Sequence, residues 1–320
     1  VENIAHLIYN SNAGNGDRSA VEELQAALEQ VGFYPVYRAT ENEDDLDSIL
    51  TDVEGLVVAA GGDGTVRAVV TRLVGKGVPV AILPMGTANN IAKTLDIPLD
   101  PLQTIAGLGN HRPFPFDVGY VEAPWGTDYF VEGTGFGFFA DVLAMYDPEK
   151  GKSVWRGIGA LGDILLKGHA YKNSLHLNGE RVPGEFLLVE VLNTSAVGPR
   201  LKFAADASPG DGVLDLVCIH ASDREGFLTY LTSLIREDLE RLETVARYQI
   251  ETLRFSWQGF ALHVDGEVRP PDWDERRKVK ETEWGPRHYL AQADTGEINI
   301  KVIPAAVTLW LPALADKDDK

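Results

Sequence analysis

A chain of 320 residues, 44% of them hydrophobic, suits two domains with a core each. Its net charge of −19 and pI near 4.7 argue against nucleic acid and against general adsorption to anionic membranes, and its single cysteine, Cys218, excludes an internal disulfide or a cysteine-clustered metal site. No apolar run approaches the roughly 18 to 20 residues that cross a bilayer, and Val1-Glu2-Asn3-Ile4 has no basic-then-apolar leader pattern, so a cytoplasmic protein is expected.

In chain order, Ala5–Tyr9 reads as a strand, Ser19–Val31 as a helix with apolar residues at Val21, Leu24, Leu28 and Val31, and Tyr34–Arg38 as a strand. Asp44–Leu50 (helix), Leu56–Ala60 (strand), Val66–Val74 (helix) and Val78–Leu83 (strand) continue the alternation. Strand and helix in turn predict a parallel sheet with helices on its faces and ligands beyond the carboxyl ends of the strands. From about Phe116 the texture becomes short strands between Gly, Asn and Asp turns: Phe116–Glu122, Tyr129–Glu132, Ser174–Leu177, Phe186–Asn193, Val213–Ile219, Thr252–Trp257 and Ala261–Val264. That is the pattern of an antiparallel domain, interrupted by one helix at Arg224–Leu242. Cys218, inside such an apolar strand, reads as a small core residue.

Three glycine-containing turns follow three of the early strands: Asn10-Ser-Asn-Ala-Gly-Asn-Gly16, Gly61-Gly-Asp-Gly-Thr65 and Pro84-Met-Gly-Thr-Ala-Asn-Asn90. On one sheet edge they would converge on a phosphate, met by main-chain N–H groups and the positive end of the helix after Asp63. The bland alternative is a tight turn with Asp63 as N-cap. Neither G-x-x-x-x-G-K-[ST] nor, after the first strand, G-x-G-x-x-G is present, so the pocket is neither a P-loop nor a dinucleotide fingerprint.

These motifs, in this order, resemble the diacylglycerol kinase catalytic domain family, which includes bacterial lipid kinases and sphingosine kinases. The resemblance continues through Asp117-Val-Gly119, Gly133-Thr-Gly-Phe-Gly137, Ser208-Pro-Gly-Asp-Gly-Val-Leu-Asp215, Val264-Asp-Gly-Glu267 and Ile303–Pro312. It implies an N-terminal three-layer α/β domain like that of NAD kinases (residues 1–117, joined by about 300–320) and a C-terminal β-sandwich (118–299), with ATP in a cleft between them. It further implies that Asn10, Ser11, Asn12, Ala13 and Gly14, with Gly61, Gly62, Asp63, Gly64, Thr65, Val66, Arg67 and Ala68, wrap the phosphates. Thr40, Gly86, Thr87 and Asn89 add contacts, and Asp63 acts near a catalytic magnesium. Glu267 is implied as the base, and Ser208, Asp211 and Val213 as ligands of a structural magnesium; Asp117 either orients a phosphate-bound water or metal or caps a turn after Pro115.

The chemistry is coherent. A lipid hydroxyl is a poor nucleophile and needs a carboxylate to accept its proton as it attacks the γ-phosphate. The alternative reading of Glu267 is an exposed residue after an Asp265-Gly266 hairpin turn, and the alternative for Ser208–Asp215 is an ordinary Asp-Gly turn. Glu297 is a rival base, set too close to Pro304.

The chain departs from the family pattern at Arg67 and Ala68, where Asn and Glu are usual, at Asn90, often Asp, and in a charge-rich insertion at 269–293. These departures keep open a catalytically silent nucleotide- or lipid-binding regulator, and the shared Gly-Gly-Asp-Gly-Thr keeps open a NAD kinase-like enzyme. Membrane contact is expected to be transient and peripheral, through the basic stretch 150–172 (Lys150, Lys152, Arg156, Lys167, Lys172) beside Trp155, Ile158, Leu161 and Leu165 at helical spacing, whose alternative is packing on the sandwich. A homodimer is compatible with the sequence.

Overall fold

The computed structural model describes residues 3–10, 18–40, 42–145, 170–198, 202–223, 227, 245–273 and 295–313. The helix expected at Arg224–Leu242, the basic stretch up to Lys167 and the insertion beyond Trp273 therefore lie outside the described residues, apart from Phe227. The chain divides into two compact units. One comprises residues 1–118, 209–211 and 303–320, and the other 119–208 and 212–302.

In the first unit, β1 (Ile4–Asn10), α1 (Arg18–Gln30), β2 (Tyr34–Thr40), α2 (Asp45–Ile49), β3 (Leu56–Gly61), α3 (Asp63–Leu73), β4 (Val80–Pro84), α4 (Asn90–Thr94) and α5 (Pro101–Leu108) follow one another. The strands are parallel in the order β4-β3-β1-β2, because each helix returns the chain to the same end of the sheet. Leu7, Tyr9, Leu56, Val58 and Ala60 pack with Val21, Leu24 and Leu28 of α1 and Ile105 and Leu108 of α5. Val57 and Ala59 point the other way, toward the side where α3 buries Val66, Val69, Val70 and Leu73. Helices on both faces make three layers, and they explain why β3 is apolar at every position.

The second unit contains β6 (Gly126–Phe130), β7 (Gly133–Gly137), α6 (Phe138–Met145), β8 (Tyr171–Leu177), β9 (Glu180–Leu192), β10 (Leu214–His220), β11 (Ala246–Ile250), β12 (Thr252–Trp257), β13 (Leu262–Val264) and β14 (Glu267–Arg269). Its pairings are antiparallel, in the order β14-β13-β7-β9-β8-β12 with β10 and β11 branching from β9. Phe130, Phe136, Phe186, Phe255, Leu216 and Ile298 fill its core, each contributing about 1.5 to 3 kcal/mol by burial. Cys218 is buried in the same core, and burial pushes its thiol up to about 12. Two long strands contribute to both units, β5 (Arg112–Ala123) and β15 (Gly296–Leu311), the latter pairing with β12 in the second unit and parallel with β4 in the first.

Three local expectations are corrected. The helix expected from Val66 starts at Asp63, since Gly62 is extended (ψ −176°) and takes the N-cap position itself. The strand expected at Tyr129–Glu132 ends at Phe130, because the next three N–H groups leave the ladder for the Asp265 carboxylate. Gly133–Gly137, read only as a motif, is a fully buried strand.

Candidate functional site

The carboxyl ends of β1, β2, β3 and β4 lie along one sheet edge: Asn10 is in register with Thr40, and Gly61 with Pro84. Thr40 is buried there. The loops after β3 and β4 meet backbone to backbone. A Cβ on Gly62 would lie 3.2 Å from the Gly86 Cα, and one on Gly86 would lie 2.9 Å from Asn89 Oδ1 as well as against Gly62. Only two glycines permit that approach. Met85 N–H donates to Gly61 O at 2.9 Å. Asn89, at φ 51°, folds its side chain back so that Oδ1 accepts from Gly86 N–H and Nδ2 donates to Gly86 O, both at 2.9 Å.

Asp63 is therefore not the N-cap. It occupies the first turn of α3, where a negative charge suits the helix dipole, and its Oδ1 accepts the N–H of Ile91 at 3.2 Å, tying the starts of α3 and α4 together. Gly62 has no side chain to cap the helix, so the first N–H groups of α3 face the same edge. Gly64, Gly86 and Thr87 are exposed there, and Thr65 folds over Gly61. Val66 and Ala68 point into the core. Arg67 pairs with Glu43 at 3.2 Å, and Glu43 and Asp47 also hold Arg72, at 3.0 and 2.6 Å. The backbone of Asn10 ends β1 on this edge; Ser11, Asn12, Ala13 and Gly14 lie outside the described residues.

Asp117 sits buried in mid-strand of β5, not at a turn: its Oδ1 accepts Ala305 N–H at 2.7 Å and its own N–H donates to Pro209 O at 2.8 Å. It thereby fixes the start of the loop that carries Asp211. Ser208 and Asp211 are exposed, and Val213 is partly buried. Among the described residues no group of three or more His, Cys, Asp or Glu gathers. Asp211 offers one exposed carboxylate on this loop, and oxygen donors of that kind suit magnesium, which keeps several waters.

In the second unit, Asp265 (φ 47°) and Gly266 (φ 80°) form the two-residue turn read from the sequence, with Val264 opposite Glu267. The Glu267 side chain is 48% exposed and lies 3.2 Å from Arg269, whose guanidinium also binds Asp128 at 2.9 Å. The tip is anchored by Asp265, whose carboxylate accepts the N–H groups of Val131, Glu132 and Gly133 at 2.9, 2.8 and 2.9 Å. Beneath it His263 and Glu190, both fully buried, pair at 2.7 Å. Burial pushes the Glu190 carboxyl up and His263 opposes the shift. Asp141 is likewise raised by burial, to about 6, against a 2.7 Å hydrogen bond from Tyr171, whose own hydroxyl is pushed upward. Glu297 lies on the surface of β15, 3.7 Å from Arg254.

The sequence marks Asp265 only as a turn residue, and it singles out neither His263 nor Glu190. The available signal was Glu190, a lone acid in the apolar run Phe186–Leu192. A charge in a buried strand needs a partner.

The comparisons with known proteins bear on this geometry. Residues 4–121 match the diacylglycerol kinase catalytic domain, and residues 159–277 match the YegS C-terminal NAD kinase beta sandwich-like domain. The chain belongs to the diacylglycerol kinase catalytic domain family. Within it, similar proteins include a YegS-like one from Pseudomonas aeruginosa, named a probable lipid kinase, 31% identical over 66% of this chain and 70% of that protein. The diacylglycerol kinase of Bacillus subtilis is 29% identical over 72% of this chain and 78% of its own. A diacylglycerol kinase structure from Bacillus anthracis aligns over 97% of both chains with TM-score 0.66 and 16% identity, which speaks for the fold alone. Yeast NADH kinase aligns over all of this chain and 86% of its own with TM-score 0.51 and 11% identity. Among the described residues no helix is long and apolar enough to cross a membrane.

Proposed function

We propose that this chain, an enzyme of the lipid kinase class, transfers the γ-phosphate of ATP to the hydroxyl of a diacylglycerol-type lipid with magnesium. The observation that carries the reading is the contact of Gly62 with Gly86 beside the uncapped start of α3. It leaves main-chain donors and no side-chain bulk where a polyphosphate needs both conditions.

In this reading Gly61–Ala68, Thr40, Gly86, Thr87, Asn89 and the residues 10–14 receive the nucleotide, with the Arg67 charge balanced by Glu43. Asp63 Oδ1 accepts the N–H of Ile91, and the carboxylate is the group that would hold a magnesium ion here. Magnesium, when bound, offsets the charge of the phosphate oxygens. Asp117 fixes the loop of Ser208, Asp211 and Val213, which would hold a second, structural ion. Glu267 accepts the proton of the lipid hydroxyl while its oxygen bonds to the γ-phosphorus and ADP departs. A cytoplasmic enzyme would meet its acceptor at the bilayer surface through the basic stretch 150–172.

The test is labelled ATP with a panel of dioctanoylglycerol, phosphatidylglycerol, sphingosine, a polyprenol and NAD, with and without EDTA. Metal-dependent labelling of a lipid is expected. Labelling of NAD alone, or ATP binding without turnover, contradicts the proposal.

A further inference from the structure

Gly135, at the centre of the glycine-rich strand β7, is in register with Glu190 of β9 on one side and His263 of β13 on the other. Two strands that are not neighbours thus send side chains over a third. They meet with His263 Nε2 at 2.7 Å from Glu190 Oε2, and a Cβ on Gly135 would lie 2.5 Å from that same oxygen. The glycine is the gap through which the pair closes.

The other ring nitrogen is also used. Gly266 N–H donates to His263 Nδ1 at 3.3 Å, so the ring proton belongs on Nε2, which donates to Glu190. Thr134 Oγ1 donates to His263 O at 2.6 Å, and the Phe139 ring stands edge-on to the imidazole at 4.8 Å. The arrangement is a poor source of stability: among the described residues Glu190 Oε1 has no hydrogen-bond partner, and a buried polar pair seldom outperforms apolar residues of equal volume. Its geometric product is one fixed amide, that of the residue before Glu267.

We infer that the Glu190–His263 pair, closed over Gly135, is a positioning device for Glu267. Asp265 fixes where the hairpin tip lies, and His263 fixes how its turn is rotated, hence the direction in which the Glu267 carboxylate leaves it. The inference rests on Glu267 being the proposed base.

The experiment compares wild type, His263→Phe, His263→Asn, Glu267→Gln and the Glu267→Gln/His263→Phe double variant. It measures kcat and KM for ATP with dioctanoylglycerol micelles, and hydrogen exchange at the Gly266 amide. Phe keeps the ring but not the acceptor, whereas the Asn oxygen can accept from Gly266. His263→Phe is expected to lower kcat roughly 10- to 100-fold with KM for ATP within twofold, and to speed Gly266 exchange. His263→Asn is expected to restore most of both, and His263→Phe to add nothing in the Glu267→Gln background. Unchanged Gly266 exchange or unchanged kcat in His263→Phe overturns the positioning role, as does an equal further loss on top of Glu267→Gln. Wild-type kcat in Glu267→Gln overturns instead the base on which the inference stands.

Discussion

Asp63 and Glu267 both follow a glycine turn, but they are held by opposite means. Asp63 takes one N–H from the first turn of α4, and its surroundings are main chain: two glycines in contact, an asparagine closed on its own loop and an uncapped helix. Glu267 stands on a hairpin pinned by side chains, with Asp265 accepting three N–H groups more than 130 residues away in sequence and His263 resting on buried Glu190. A surface of main-chain donors binds any polyphosphate and needs only room. A hairpin braced by a buried polar pair holds one carboxylate, which suits the proposed role of Glu267 as a group that meets a single proton.

This division of labour is open to attack at four points. Glu267→Gln should lower kcat roughly 10²- to 10⁴-fold at unchanged ATP affinity; an equal loss of ATP binding would erase the distinction. Asp265→Ala removes the acceptor of three N–H groups and puts a Cβ-bearing residue without a local hydrogen bond at positive φ. Denaturant unfolding should show a loss of about 2 to 4 kcal/mol, and a loss under 1 kcal/mol would mean that the tip is held elsewhere. Gly86→Ala should cost about 1 to 3 kcal/mol and weaken ATP binding roughly tenfold, because one of two touching loops must retreat. A preserved affinity would mean that the contact is incidental.

The smallest effect concerns Asp141. Its folded pKa, about 6, stands above the ordinary 3.8, so the folded protein binds that proton more tightly than the unfolded chain. The stability this lends is complete below about pH 4 and is lost as pH rises through about 6. Asp141→Asn should therefore match wild type near pH 4 and exceed it by roughly 1 to 3 kcal/mol above pH 7. Thermal unfolding across that range checks the sign.

The contrast also explains what the sequence could reveal. Leu56–Ala60, Gly61–Thr65 and the alternation around them are local signals: buried parallel strands are unbroken apolar runs, and turns that admit phosphate need glycine. Asp265-Gly266 was equally local, and the structure has that hairpin. Strand β7 was not legible, since Gly133-Thr-Gly-Phe-Gly137 has the composition of a loop and becomes a strand because Glu190 and His263 must close over it. Strand β15 continues through Pro304, which falls where the chain passes from one unit to the other. The apolar pattern marks helix α3 only from Val66 because Asp63, Gly64 and Thr65 have loop composition, and a glycine N-cap at Gly62 leaves no side-chain signal.

The most direct test measures ATP affinity and phosphoryl transfer together in Glu267→Gln and Gly86→Ala. ATP binding within twofold of wild type in Glu267→Gln, with transfer lost by at least 100-fold, and weakened binding in Gly86→Ala are predicted. Transfer within threefold of wild type in Glu267→Gln would contradict the account.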